Sequence, residues 1–136
     1  MGTLIGTIRM LPLNQGLAPC DAFLDRQPDL PAGMRDHSWE VGRLVLAPRY
    51  RAGPELLRRC LALTLLHMVD QVPVENIFAS CKPALARLYR RFGYSVVVKD
   101  VGGGAGGEPY SLIHGCTPVV MRAVCDRMPQ GAGALQ

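Results

Sequence analysis

Three charged side chains stand where apolar ones are expected. Arg9 lies between Ile8 and Met10 in the stretch 3–11, and Glu40 and Arg43 lie within Ser38-Trp-Glu-Val-Gly-Arg-Leu-Val-Leu46. A charge inside a buried strand is costly unless it is paired. A carboxylate and two guanidiniums in such strands read either as an ion-pair cluster tying the strands together or as the polar part of a site. On a regular strand Glu40 and Arg43 face opposite ways, because side chains alternate. A bulge at Gly42 would turn both into one cleft.

Other chemistries find less support. Gly102-Gly-Gly-Ala-Gly-Gly107 satisfies G-x-G-x-x-G in form, but Glu108-Pro109-Tyr110 and a strand follow where a nucleotide fold needs a helix N-terminus. It reads as a hairpin loop. His37, His67 and His114 lie on separate elements without Cys or His at ligand spacing, so no metal site is expected. There is no Gly-x-Ser-x-Gly elbow for a serine hydrolase. Cys81, between a strand and a helix, is a candidate nucleophile, although a free cysteine ordinarily acts as a small buried hydrophobe.

The elements that must position these residues come from 136 residues, enough for one domain with a core of its own. The composition is globular, 49% hydrophobic and 19% charged. Cys60–Val69 is the longest apolar stretch, half the length of a membrane span and interrupted by Thr64 and His67. The first residues lack the basic start and cleavage site of a secretory signal. Five widely spaced cysteines without Cys-x-x-Cys argue against a disulfide framework and suit a reducing cytoplasm. The net charge is +4, and thirteen of the fifteen cations are Arg, paired as Arg49/Arg51, Arg58/Arg59 and Arg90/Arg91. Only eight residues are aromatic, too few to interleave with these cations as in a nucleic-acid binder. An acidic or phosphorylated partner suits the forked guanidinium better, solvated helix faces being the plain alternative.

Strands are predicted at 3–11, 38–47, 76–80, 95–101 and 110–114. Helices are predicted from Pro54-Glu55 to about Gln71, from Ala84 to Phe92 with Gly93 at C′, and at 118–128. Residues 12–37 read as a long irregular connection, and 129–136 as a loose tail. The helix from 54 is apolar almost all round from Cys60 onward, so it is expected to pack on both sides. The order is mixed α/β, with one parallel pairing between the second and third strands and an antiparallel end hairpin.

Gly6-Thr-Ile-Arg-Met-Leu-Pro12, Phe23 and Trp39-Glu-Val-Gly-Arg43 together resemble the acyl-homoserine-lactone synthase (autoinducer synthase) family. Fourteen residues separate Arg9 from Phe23 and seventeen separate Phe23 from Glu40, so the family's Gly-x-x-Arg, Phe and Glu-x-Ser-Arg fall into place without a gap. Ala84-Leu-Ala-Arg-Leu-Tyr-Arg-Arg-Phe-Gly-Tyr94 is similar to the family's later helix. The resemblance covers residues 3–115. It departs at Gly42, where the family has Ser or Thr, and the family carries a further N-terminal segment, so the chain reads as truncated relative to it. The fold implied is a mixed twisted sheet with packed helices, like that of the Gcn5-related N-acyltransferases.

The resemblance implies a reaction in which the amine of S-adenosylmethionine attacks an acyl thioester on acyl carrier protein, and lactonisation then expels methylthioadenosine. Glu40 would take the amine proton, with Arg9 and Arg43 holding and orienting it. Phe23, Trp39, Leu44, Val45, Leu46 and Phe78 would contact substrate, and backbone N–H groups at a bulge or splay near 44–46 would stabilise the oxyanion. Arg49, Arg51 and Gly53, in the turn before the helix at 54, would hold the phosphopantetheine. Arg58, Arg59, Arg90 and Arg91 would steer the acidic carrier protein. Coenzyme A is a weaker donor, because Arg51-Ala-Gly-Pro is a degraded form of the superfamily's pyrophosphate loop. No permanently bound cofactor is implied. Two other readings compete: an N-acyl amino acid synthase of the same fold without lactonisation, and an inactive module in which Arg9, Glu40 and Arg43 only stabilise the sheet.

Overall fold

The computed structural model describes residues 6–31, 33–46, 54–99 and 109–125. Its elements are β1 (Gly6–Pro12), α1 (Pro19–Asp25), β2 (Ser38–Leu46), α2 (Glu55–Val69), β3 (Asn76–Cys81), α3 (Pro83–Arg90), β4 (Ser95–Val98), β5 (Ser111–Cys116) and α4 (Thr117–Cys125). The strands form one sheet in the order β1-β2-β3-β5-β4. Among the described residues only the β2–β3 pairing is parallel, which is what a strand–helix–strand crossover through α2 produces.

Side-chain alternation sorts the core into two layers. Val41, Ile77, Ala79 and Ile113 face one way, against Leu57, Leu61 and Leu65 of α2, Ala86 and Tyr89 of α3, and Val120 and Val124 of α4. Phe78 and Leu112 face the other way, against Cys20 and Leu24 of α1. The central strand β3 is thus buried on both faces, as its apolar run predicts.

Helix α1 corrects the expectation of an irregular connection over 12–37. Pro19 suits a first turn, and Cys20 and Leu24 are spaced by four to share the buried face. Helix α2 is less enclosed than its composition suggests, since Leu63 and Val69 face solvent. Helix α3 closes with a left-handed Gly93 (φ 90°). The Gly93 N–H donates to Arg90 C=O and the Tyr94 N–H to Tyr89 C=O, both at 3.3 Å. This is a Schellman cap with Gly93 at C′, and its accompanying hydrophobic contact is the edge-on Tyr89–Tyr94 pair at 5.0 Å. On the same face as α2 and α3, α4 lies so close to β5 that a Cβ on Gly115 would meet Val120 Cγ2 at 2.5 Å. The end hairpin is present as β4 and β5. The loop 102–107, residues 3–5 of the first strand, residues 126–128 of the last helix and the tail 129–136 lie outside the described residues.

Candidate active site in the cleft between two parallel strands

Strands β2 and β3 pair only at Ser38/Asn76, Trp39/Ile77 and Glu40/Phe78. Beyond that point β2 follows β1 and β3 follows β5, so the two part company. Over the step from Thr7/Val45 to Arg9/Gly42, β1 advances two residues while β2 advances three, which is a β-bulge on β2. Arg43 there is in the left-handed region (φ 49°), an uncommon conformation for a side chain with a Cβ. The bulge expected at Gly42 is therefore real and strains its neighbour.

A cavity of about 310 Å³ fills the gap. One wall is Val41–Leu44 of β2, the other is Ala79–Cys81 of β3 with Lys82, and Leu85 and Tyr89 of α3 and Tyr110 complete it. Burial pushes the Cys81 thiol up to about 11, which works against the thiolate that a nucleophile needs. Parting the strands also leaves backbone groups on both walls without a ladder partner across the gap.

On the opposite face of the sheet, Glu40 is 3% exposed and both of its oxygens are engaged. Oε1 accepts the Cys20 N–H of α1 at 2.6 Å, and Oε2 lies 3.6 Å from Arg9 Nη2. The carboxylate thus does for α1 what a capping side chain would do, since Ala18 at the N-cap supplies none. The Cys20 side chain is fully buried. Burial first, then the nearby Glu40 carboxylate, holds the Cys20 thiol far above its ordinary range, so it keeps its hydrogen. A second cavity of about 300 Å³ lies on the α1 side, between α1, the loop 27–36 and Phe78. Its Arg35 is tied to Asp25 at 2.7 Å and Asp21 at 3.6 Å.

The structure brings Arg9 and Glu40 together but leaves Arg43 apart from them, exposed and on the cleft wall. The expected cluster of Glu40 with two guanidiniums is a pair with one. The bulge does not bring Glu40 and Arg43 into one cleft, because Glu40 remains turned toward α1. Leu44 lines the cleft and Val45 is 56% exposed, while the Leu46 side chain lies outside the described residues. Phe78 packs with Cys20 and Leu24 and borders the second cavity instead of sharing the first with Leu44. Phe23 packs against the same α1-side cluster. Trp39 points away from Glu40 and donates its indole N–H to Pro73 C=O at 3.3 Å.

Of the arginines, Arg59, Arg90 and Arg91 are exposed. Arg58 is not available for steering: it is 1% exposed, pairs with Glu55 and donates to Val124 C=O of α4. Its place was readable, since Leu61 and Leu65 lie three and seven residues on, along the buried stripe. Arg49, Arg51 and Gly53 lie outside the described residues. Sequence reading missed Cys20, Ser80, Leu85 and Tyr110. No described helix is long and apolar enough to cross a membrane, and no described group of three or more His, Cys, Asp or Glu could hold a metal ion.

The fold has counterparts among solved structures. TofI, in a ternary complex with an inhibitor and MTA, matches 97% of this chain and 65% of its own, with a TM-score of 0.63 at 19% identity. The AHL synthase LasI matches 88% of this chain and 62% of its own, at 0.66 and 14%. A chimera of the spermidine N-acetyltransferase SpeG from Vibrio cholerae and hSSAT matches 62% of this chain and 54% of its own, at 0.52 and 14%. The fold is that of the Gcn5-related N-acyltransferases. By sequence, no protein-family model and no curated protein matches. The chain spans 54–65% of the length of these three structures.

Proposed function

We propose that this chain is an N-acyltransferase domain of the acyl-homoserine-lactone synthase type. The observation that carries the reading is the opening between β2 and β3 beyond Glu40 and Phe78, with the bulge at Arg43 on one wall. An acyl thioester lies in the cleft with its chain against Leu44, Leu85 and Tyr89, and the unpaired backbone N–H groups of the walls stabilise the oxyanion. The acceptor is the amine of S-adenosylmethionine, which attacks only when neutral, and Glu40, oriented by Arg9, receives its proton. Lactonisation then expels methylthioadenosine. TofI, whose structure contains MTA, supports this choice of acceptor. The donor is the phosphopantetheine of an acyl carrier protein, steered by Arg59, Arg90 and Arg91, with Arg49, Arg51 and Gly53 at the phosphate. Arg43, on the cleft wall, contacts substrate and not Glu40.

One feature favours a second reading, an N-acyl amino acid synthase without lactonisation. A Cβ on Gly42 would lie 3.4 Å from Arg9 Nη2 and 3.6 Å from Glu40 Oε2. A serine there would place a hydroxyl beside the pair, and this chain lacks it. The deciding experiment supplies acyl carrier protein thioester and S-adenosylmethionine, then measures products by mass spectrometry. Acyl-homoserine lactone with stoichiometric methylthioadenosine is the expected result. N-acyl amino acid without methylthioadenosine selects the second reading, and no acylated product with any amine overturns both.

A further inference from the structure

The cavity between β2 and β3 differs at its two ends. Where the strands first part, its walls are Val41 and Ala79, both buried. Farther along they are Arg43 and Lys82, both exposed, so the mouth is at that end. Tyr89 of α3 also lines the cavity and is 3% exposed. Its ring meets the buried Tyr94 edge-on at 5.0 Å, so it cannot swing away without displacing a core side chain. The cavity is therefore a blind pocket with an apolar end and a cationic mouth, and not a groove along which a chain of any length could run.

We propose that this pocket restricts the acyl donor to a short chain, with Ala79 and Tyr89 closing its end and setting the limit. The proposal rests on the acyl-transfer reading given above and names its donor class. At about 30 Å³ per non-hydrogen group, the share of a water molecule in the liquid, the cavity's 310 Å³ holds about ten groups. The thioester sulfur, its carbonyl and the neighbouring pantetheine carbon take about four of these, which leaves room for an acyl group of about six to eight carbons. The anionic phosphate at the other end of the donor suits the mouth, beside Arg43 and Lys82, so the chain enters tail first. Each methylene that reaches the apolar end adds burial, until the next one would have to displace Tyr89.

Two measurements test this. The first follows acyl transfer to S-adenosylmethionine from carrier-protein thioesters running from butanoyl to dodecanoyl. In the wild-type chain kcat/KM rises about tenfold from butanoyl to hexanoyl. It falls at least about tenfold from octanoyl to dodecanoyl. Leu85→Ala, which enlarges the pocket at a half-buried lining residue, moves the maximum up by about two carbons, and Ala79→Val moves it down by about as much. Thermal unfolding checks that both variants are folded. The second measurement needs no turnover: calorimetric titration with S-alkyl phosphopantetheines of the same lengths, which cannot transfer, gives affinities with the same short-chain maximum. An activity or an affinity that still rises at the dodecyl length overturns the limit, whatever the variants do. So does a maximum that neither folded variant moves. A short-chain maximum of affinity in a protein that acylates no amine supports the limit and overturns the acyl-transfer reading.

Discussion

Glu40 holds two elements at once, β1 through Arg9 and α1 through the Cys20 N–H. Glu40→Gln keeps the shape and one acceptor but removes the charge, so a loss of about 1–3 kcal/mol is expected in urea unfolding. A module in which the pair is only structural would show that loss with no acyl transfer to lose. Arg43 carries the opposite signature. Its left-handed backbone costs energy that glycine avoids, so Arg43→Gly is expected to stabilise the fold by about 0.5–1 kcal/mol while slowing turnover. A destabilised variant would show that its side chain holds the bulge. His114, beside Phe78 and bonded to Asn76 at 2.7 Å, is lowered below its usual value by burial. The unfolded chain therefore takes a proton more readily than the folded one. The stability contributed by neutral His114 is present above about pH 6.5 and is lost as the pH falls through the folded value. His114→Gln should flatten the fall in urea midpoint between about pH 7.5 and about pH 5, and equal slopes would refute it. At this scale the Arg9–Glu40 pair was legible because charges in apolar strands demand partners. The place of Cys20 was not, because the carboxylate that accepts its N–H lies twenty residues away in sequence.

Helices α2 and α4 are joined by a side chain that reads as surface charge. Arg58→Ala removes a buried guanidinium that donates to the Val124 carbonyl of α4, and a loss of about 2–4 kcal/mol is expected, against about 0.5 or less for Arg59→Ala. Equal effects would mean that Arg58 is no more structural than its neighbour. The contact between α4 and β5 admits no methyl group at position 115. Gly115→Ala should cost about 1–3 kcal/mol, with Val120→Ala in the same chain returning part of it. Element types followed from period and punctuation where these were clean, as in α2 and α3. Helix α1 escaped notice because its two turns are surrounded by Pro, Gly and Asp, and because its cap is a carboxylate from another strand. The bulge was legible as a glycine in a strand, but its effect on the direction of Arg43 depended on the register against β1.

Across the whole molecule, the sheet separates an α1 side, which holds Glu40, from a helix-packed side, which holds the cleft cavity. The exposed Arg59 of α2, Arg90 at the end of α3 and Arg91 just after it belong to the cleft side, where an acidic carrier would approach. Reversing these three charges is expected to lower the association rate and flatten its salt dependence, and unchanged kinetics at low salt would remove the carrier from this face. The mixed α/β class and its single parallel pairing were legible in the order of elements. The place of β5 was not, because a hairpin shows which strands are adjacent but not which of them meets β3. That placement bears on how the chain is made. The fifth strand in sequence is the fourth in space, so the inner strand β3 has one edge open until residues 111–116 have been synthesised. Vectorial folding can assemble β1, β2 and β3 early, but it must wait for the ribosome to release β5 before the middle of the sheet closes. A nascent chain halted before residue 111 would leave the β5-facing edge of β3 unpaired, and there a chaperone would find a strand to hold.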